Sequence, residues 1–186
     1  MLNTHTMKRV GVFVHQSAEE ILSIVRTARL DYVQLHGSQS IDFARAFPAK
    51  NVIRVLWPAK YASIEALEAD IAAFAETCGW YLLDAGLGSG IELDWKALSD
   101  LRFPHPWFLS GGLGAHNVAR ALDLCTPHVV DFNSKLETSP GIKGEALMEQ
   151  AVQSVRQWEV ASGSTTFTPA ACSASCSLGR PEGERP

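Results

Sequence analysis

"VVDFNSKLETSPGIKG", Val129 to Gly144, is the stretch on which the fold turns. Two valines close a short apolar run, Asp131 follows, and then comes a loop in which Asn133 and Ser134 offer hydrogen-bond donors. The loop is too long and too polar for a simple connection between strand and helix. The stretch before it is built in the same way. In "LSGGLGAHNVARAL", Leu109 to Leu122, Gly111 and Gly112 separate an apolar run from an amphipathic helix. Backbone N–H groups and a helix N-terminus can both face an oxyanion there, although "SGG" alone is a weak signal.

Working outward, apolar runs rich in branched and aromatic residues recur: "VGVFV" at 10–14, "YVQL" at 32–35, "NVIRVLW" at 51–57, "WYLL" at 80–83, "WFL" at 107–109 and "HVV" at 128–130. They read as buried strands. Helical spacing lies between them. Ser17 with Glu20 forms a capping box ahead of Ile21, Ile24, Val25 and Ala28 on one face. A second helix sets Ile64, Leu67, Ile71 and Phe74 on one face and is closed by Gly79. A last one runs from about Glu145 to Val160 with Leu147, Ala151, Val155 and Trp158 at helical spacing.

Strand starts lie roughly 20 to 28 residues apart, the spacing of βαβ units and hence of parallel strands. About six units are visible. An open doubly wound sheet and a piece of a (β/α)₈ barrel both accept this pattern; full barrels take about 250 residues, seldom fewer than about 200, so length favours the open sheet.

Both architectures place chemistry just past the carboxyl ends of their strands. Those positions hold His15 and Gln16, His36 and Gly37, Trp57 to Lys60, Asp84, Ser110 to Gly112, and Asp131 to Ser134. His15 reads more readily as a structural residue than as a ligand. A lone strand-end aspartate such as Asp84 serves as a loop cap about as often as a catalyst. In "LLDAGLGSG" the glycines at 86, 88 and 90 form either a phosphate cradle or a loop over a catalytic Asp84. Paired loops after the last two strands are where (β/α)₈ enzymes commonly hold phosphate, which favours Gly111, Gly112, Asn133 and Ser134 for the anion.

Composition narrows the classes. The 186 residues are 46% hydrophobic and 19% charged, enough for one sizeable core, and a net charge of −4 offers no generic attraction to nucleic acid or anionic membrane. A small-molecule site and a cytoplasmic location are the expectation, with no membrane span. The four cysteines, Cys78, Cys125, Cys172 and Cys176, match neither a disulfide framework nor a zinc pattern. Residues 1–161 are read as one domain, and 162–186, rich in Ser, Thr, Pro and Gly, as a disordered tail.

"VGVFVHQSAEEI", "DYVQLHGSQS", "LLDAGLGSG", "LSGGLGAHNV" and "VVDFNSKLETSPGIKG", in this order and spacing, resemble the phosphoribosylanthranilate isomerases, (β/α)₈ enzymes of tryptophan biosynthesis. The resemblance covers roughly residues 8 to 158 and overrules the length argument: it implies a partial barrel of TIM type with about six of eight βα units. It implies an Amadori rearrangement of N-(5-phosphoribosyl)anthranilate that needs no metal or other cofactor. Asp84 falls at the general-acid position, which requires a carboxyl whose pKa is raised. Asp131 falls at a substrate-orienting aspartate, with an Asx turn or loop cap as its structural alternative, and His36 at the histidine of "QLHG". Phosphate falls to Gly111, Gly112, Asn133 and Ser134.

Departures matter as well. These 186 residues contain neither the family's Lys-x-Cys-Gly segment, which carries the catalytic cysteine, nor the arginine used on the anthranilate, both of which belong to two earlier βα units. Where many members have a longer Gly-Gly-Thr-Gly-Lys-like run, this chain has "AGLGSGIELDW", so closure over the substrate is expected to be less complete. The chain on its own is expected to be poorly active and to self-associate through unpaired barrel edges. The competing reading is a non-catalytic partial barrel that binds a sugar phosphate or a partner chain; a third is an unrelated open α/β phosphate-binding enzyme. Truncation after Gly163 should leave the thermal melting temperature unchanged, because the tail has no core-forming pattern; a large fall in a calorimetric scan would show that it packs on the domain.

Overall fold

The computed structural model describes residues 7–84 and 94–163. The expected glycine-rich loop at 86–90 and nearly all of the expected tail lie outside them. Six strands follow one another in space as in sequence: β1 (Val10–Phe13), β2 (Tyr32–Leu35), β3 (Val52–Leu56), β4 (Trp80–Leu83), β5 (Trp107–Leu109) and β6 (Val129–Val130). Every neighbouring pair is parallel. A doubly wound sheet reverses its strand order at a switch point. This sheet never does, and its curled arc is the wall of a (β/α) barrel. The strand order, not the chain length, decides between the two architectures.

Helices α1 (Ala18–Ala28), α2 (Ile41–Ala44), α3 (Ile64–Phe74), α4 (Trp95–Leu98) and α5 (Val118–Cys125) cover the outer face, and α6 (Glu145–Ser162) packs beside α5. The strand side chains sort by parity, as the period of two requires. Phe13, Val33, Leu35, Val52, Leu56, Tyr81, Leu83 and Leu109 point outward into one core with Ile21, Leu67, Ile71 and Phe74 of the helices. Ile53, Val55 and Leu82 point inward into a second cluster with Tyr32, Trp57, Trp80 and Phe108. Trp80 is its hub: its ring meets Tyr32 edge-on at 6.1 Å and lies 5.3 Å from Phe108. At the first strand the inner face is open, and Val12 is 55% exposed.

Local signals hold with three corrections. The capping box is formed: Ser17 N–H donates to Glu20 Oε2 at 2.8 Å, and Glu20 N–H donates to Ser17 Oγ at 3.3 Å. Ile24, however, is 41% exposed and Ala28 is exposed as well, so the buried face of α1 runs through Ile21, Leu22 and Val25. Ile64 likewise starts α3 at the surface. Gly79 does not cap α3, which ends in a right-handed turn at Ala75. Its role is close approach: a Cβ there would lie 2.8 Å from Lys50 Cα, and its N–H donates to Val52 O at 3.2 Å as the chain enters β4. The polar loop after β6 is not irregular throughout. It makes a 3₁₀ turn at Ser134–Leu136 and a small antiparallel hairpin, β7 (Glu137–Ser139) with β8 (Ile142–Lys143), turned by Gly141 at φ 80°. Among the described residues no helix is long and apolar enough to cross a membrane.

Ile21→Ala should cost ~2–5 kcal/mol in urea unfolding through the cavity it leaves, whereas Ile24→Ala should stay within about 0.5 kcal/mol. Equal losses would mean that the helix presents the face expected from the sequence.

Candidate active site

Past the strand ends the inner face widens into a cavity of about 1090 Å³. All seven residues proposed from the sequence line it: His36, Asp84, Gly111, Gly112, Asp131, Asn133 and Ser134. Parity explains why. Tyr32 and Gln34 point inward, so His36 does; Trp80 and Leu82 point inward, so Asp84 does; Phe108 precedes Ser110 in the same register. The ladder is also extended by one backbone bond at each of these ends. His36 N–H donates to Phe13 O at 2.8 Å, Asp84 N–H to Leu56 O at 3.0 Å, Ser110 N–H to Leu83 O at 2.8 Å and Asp131 N–H to Leu109 O at 2.8 Å.

His36 is oriented from below. Gln34 Nε2 donates to its Nδ1 at 3.1 Å, which puts the proton of the neutral ring on Nε2, 3.7 Å from Asp84 Oδ2. Its ring also meets Trp57 edge-on at 5.1 Å. Asp131 accepts from Ser110 Oγ at 3.0 Å, and Ser110 is only 7% exposed. That bond crosses to the neighbouring strand, so the described contact is not the Asx turn considered as its structural role. Burial pushes the Asp131 carboxyl above the usual carboxylate range; the Ser110 hydrogen bond opposes the shift, the charge of Asp84 adds to it, and His36 and Lys143 pull it back.

The two loops expected from the sequence to hold the anion are braced internally. Gly111 and Gly112 take φ of 93° and 68°, which side chains rarely adopt. The buried Asn117 ties this loop to the start of α5: its Nδ2 donates to Gly112 O at 3.0 Å and its Oδ1 accepts from Gly114 N–H at 2.8 Å. In the next loop Lys143 Nζ donates to Asn133 O at 3.0 Å, to Asn133 Oδ1 at 2.5 Å and to Glu137 Oε1 at 2.7 Å. These bonds occupy the acceptor end of the Asn133 amide and leave its donor end for another partner. Gln34, Asn117 and Lys143 were not singled out in the sequence. Gln34 was findable as the one polar residue in "YVQL", whereas the other two act through turns that no spacing rule specifies. Cys78 and Cys125 are free and buried, and burial pushes each thiol up to about 11, so neither is a thiolate at neutral pH.

A family model described as N-(5'-phosphoribosyl)anthranilate (PRA) isomerase matches residues 1–154. The chain belongs to the phosphoribosylanthranilate isomerase family. The isomerase of Desulfovibrio desulfuricans is 50% identical over 154 residues, which cover 81% of this chain and 73% of that protein. That of Maridesulfovibrio salexigens is 41% identical over 159 residues, covering 84% and 78%. Among solved structures, the phosphoribosylanthranilate isomerase of Thermotoga maritima superimposes with a TM-score of 0.71 at 30% identity, covering 81% of this chain and 74% of that one. Another isomerase, in complex with reduced 1-(o-carboxyphenylamino)-1-deoxyribulose 5-phosphate, gives a TM-score of 0.67 at 30% identity over 81% and 72%. The family and barrel type expected from the motifs therefore stand.

A carboxyl whose native pKa is raised holds its proton more tightly when folded, so its contribution to stability is largest at low pH and falls as pH rises from the ordinary Asp value, 3.8, through the native one. Asp131→Asn should therefore melt higher than wild type at pH 7, with the difference shrinking as pH falls toward 4. A difference that grows toward acid would reverse the sign of the shift.

Proposed function

We propose that this chain acts in the isomerisation of N-(5-phosphoribosyl)anthranilate to 1-(2-carboxyphenylamino)-1-deoxyribulose 5-phosphate, the Amadori step of tryptophan biosynthesis. The observation that carries the reading is one cavity that receives Asp84 from the end of β4, the Gly111–Gly112 loop from β5 and Asp131 from β6. Phosphate sits on the β5 and β6 loops, where the backbone N–H groups around Gly111 and Gly112, the Asn133 amide and the Ser134 hydroxyl converge. Backbone N–H, amide and hydroxyl donors can hold an anion through hydrogen bonds without a cationic side chain.

Asp84 is the general acid. Its proton passes to the furanose ring oxygen as the C1–O bond breaks, and the nitrogen lone pair forms the C1=N bond of the open-chain protonated imine. A base then removes the C2 proton, the C1=C2 enol-amine forms, and tautomerisation places a proton on C1 and the carbonyl at C2. The Nε2–H of His36 stabilises the Asp84 carboxylate left after proton transfer. Asp131, held by Ser110, orients the sugar hydroxyls. The described residues supply no evident base, which in the family is the cysteine of the Lys-x-Cys-Gly segment.

The test is turnover with freshly generated substrate, for this chain alone and for the chain supplied with a relative's first two βα units, fused or mixed. Turnover should require those units, and Asp84→Asn should lower it by about 10² to 10⁴ with little change in KM. Equal turnover without the added units would place the base within these residues. No turnover in either form would count against the isomerase reading, and an Asp84→Asn variant that kept its rate but lost thermal stability would make that aspartate a cap.

A further inference from the structure

His36 has two ring nitrogens with opposite possible roles, and the packing around it decides which of them carries the proton. Its backbone is pinned. Its N–H donates to Phe13 O at 2.8 Å, and the next residue, Gly37, donates its N–H to Gln39 Oε1 at 2.8 Å. A Cβ on Gly37 would lie 2.4 Å from Val14 O, so the chain passes there directly against the end of β1. The ring meets Trp57 edge-on, with centroids 5.1 Å apart. Its Nε2 faces Asp84 Oδ2 at 3.7 Å, and its Nδ1 faces the Gln34 amide at 3.1 Å. A lone pair on Nε2 would point at a carboxylate oxygen, so Nε2 takes the proton and Nδ1 is left as an acceptor in need of a donor. Gln34 supplies one. On the inner face its in-register neighbours are Val12 and Ile53, whose side chains offer no hydrogen bond, and the His36 ring is the partner of its amide among the described residues.

We propose that Gln34 is a positioning residue whose amide confines His36 to the tautomer with its proton on Nε2, which keeps the histidine a donor toward Asp84 and withholds it from acting as a base. The role given to Asp84 here rests on the isomerase reading above; the tautomer itself does not. The consequence lies in where the acid's proton goes. With a lone pair on Nε2, His36 would accept the proton of Asp84 and divert it from the furanose oxygen. With the proton already on Nε2, Asp84 gives its own proton to the substrate, and the carboxylate that remains accepts from Nε2–H. No proton leaves the imidazole. The same count decides the residue type at position 34. Glutamate has the same length but only acceptors at its tip, and would draw the proton to Nδ1; methionine has the same length and no donor, and would leave the tautomer unset. Among side chains of this length glutamine alone offers a neutral donor.

Nitrogen-15 NMR of the 186-residue chain, labelled at its six histidines and held in mildly alkaline buffer, reads the tautomer without turnover; the His36 signals are those lost in His36→Asn. Wild type should show a protonated Nε2 and an unprotonated Nδ1. Gln34→Met should move both signals toward the averaged positions of exchanging tautomers, and Gln34→Glu should protonate Nδ1. Turnover is read in the chain supplied with a relative's first two βα units. There Gln34→Met should lower kcat about ten- to a hundredfold with KM within about twofold, and should cost little more once Asp84 is already Asn. An unprotonated Nε2 in wild type, or a Gln34→Met spectrum like that of wild type, would overturn the inference and leave the isomerase reading intact. A normal kcat in a variant whose tautomer has changed would do the same. Should Gln34→Met fail to fold, Gln34→Glu carries the test, and an unprotonated Nδ1 in it is the overturning result. No turnover of the supplied wild type would overturn the isomerase reading and the role assigned here with it, a failure that the spectra keep distinct from a wrong tautomer.

Discussion

A parallel strand sends successive side chains to opposite faces, and in this chain the alternation does not stop where the regular ladder stops. Leu83 belongs to the outer core and Leu82 to the inner cluster, so Asp84 has to face inward. The same count turns His36 in after Gln34 and Trp57 in after Val55. One backbone hydrogen bond beyond β2, β4, β5 and β6 holds the register long enough to matter, as from Asp84 N–H to Leu56 O at 3.0 Å. A single residue inserted between Leu82 and Asp84 would keep the strand apolar and turn the carboxylate toward the helices.

The site that results gathers negative charge, and the structure manages it by spacing and by neutral donors. Asp84 and Asp131 arise two strands apart, each with a different neighbour: His36 for the first and the Ser110 hydroxyl for the second. The upward shift on Asp131 comes first from burial, and the charge of Asp84 adds to it. The loops after β5 and β6 carry glycine backbone and amide groups, and their shape is held by Asn117 and Lys143, which bond to the loops.

The opposite side of the mouth depends on a buried polar chain. Arg54 Nη2 donates to Asp70 at 3.4 Å and its Nη1 to Gln39 O at 3.3 Å, while the Gln39 amide accepts from Gly37 N–H at 2.8 Å and donates to Val14 O at 3.1 Å. The ends of β1, β2 and β3 are thereby tied to α3. The arrangement leaves Arg54 Nε buried without a hydrogen bond, and the guanidinium face rests 4.1 Å from the centre of the Phe74 ring. A buried charge in a central strand is costly unless paired, and here Asp70, Gln39 O and the Phe74 ring supply its partners.

What the sequence determined by itself is what short-range physics decides. Six apolar runs marked the strands to within a residue or so at each end, Ser17 and Glu20 marked a helix start, and His36, Asp84 and Asp131 just past their runs marked residues that line one cavity, because strand period and capping act over a few residues. The tertiary structure alone decided the rest. Whether six βα units wind one way or reverse is settled by which strands pair, and nothing inside "YVQL" or "WYLL" records its neighbour. Ile24 and Gly79 were misread because the exposure of one and the close approach of the other depend on what packs across from them. The raised carboxyl at Asp131 follows from burial and from a charge on a strand two places away. Contacts between segments distant along the chain carry all of these, and local patterning cannot encode them.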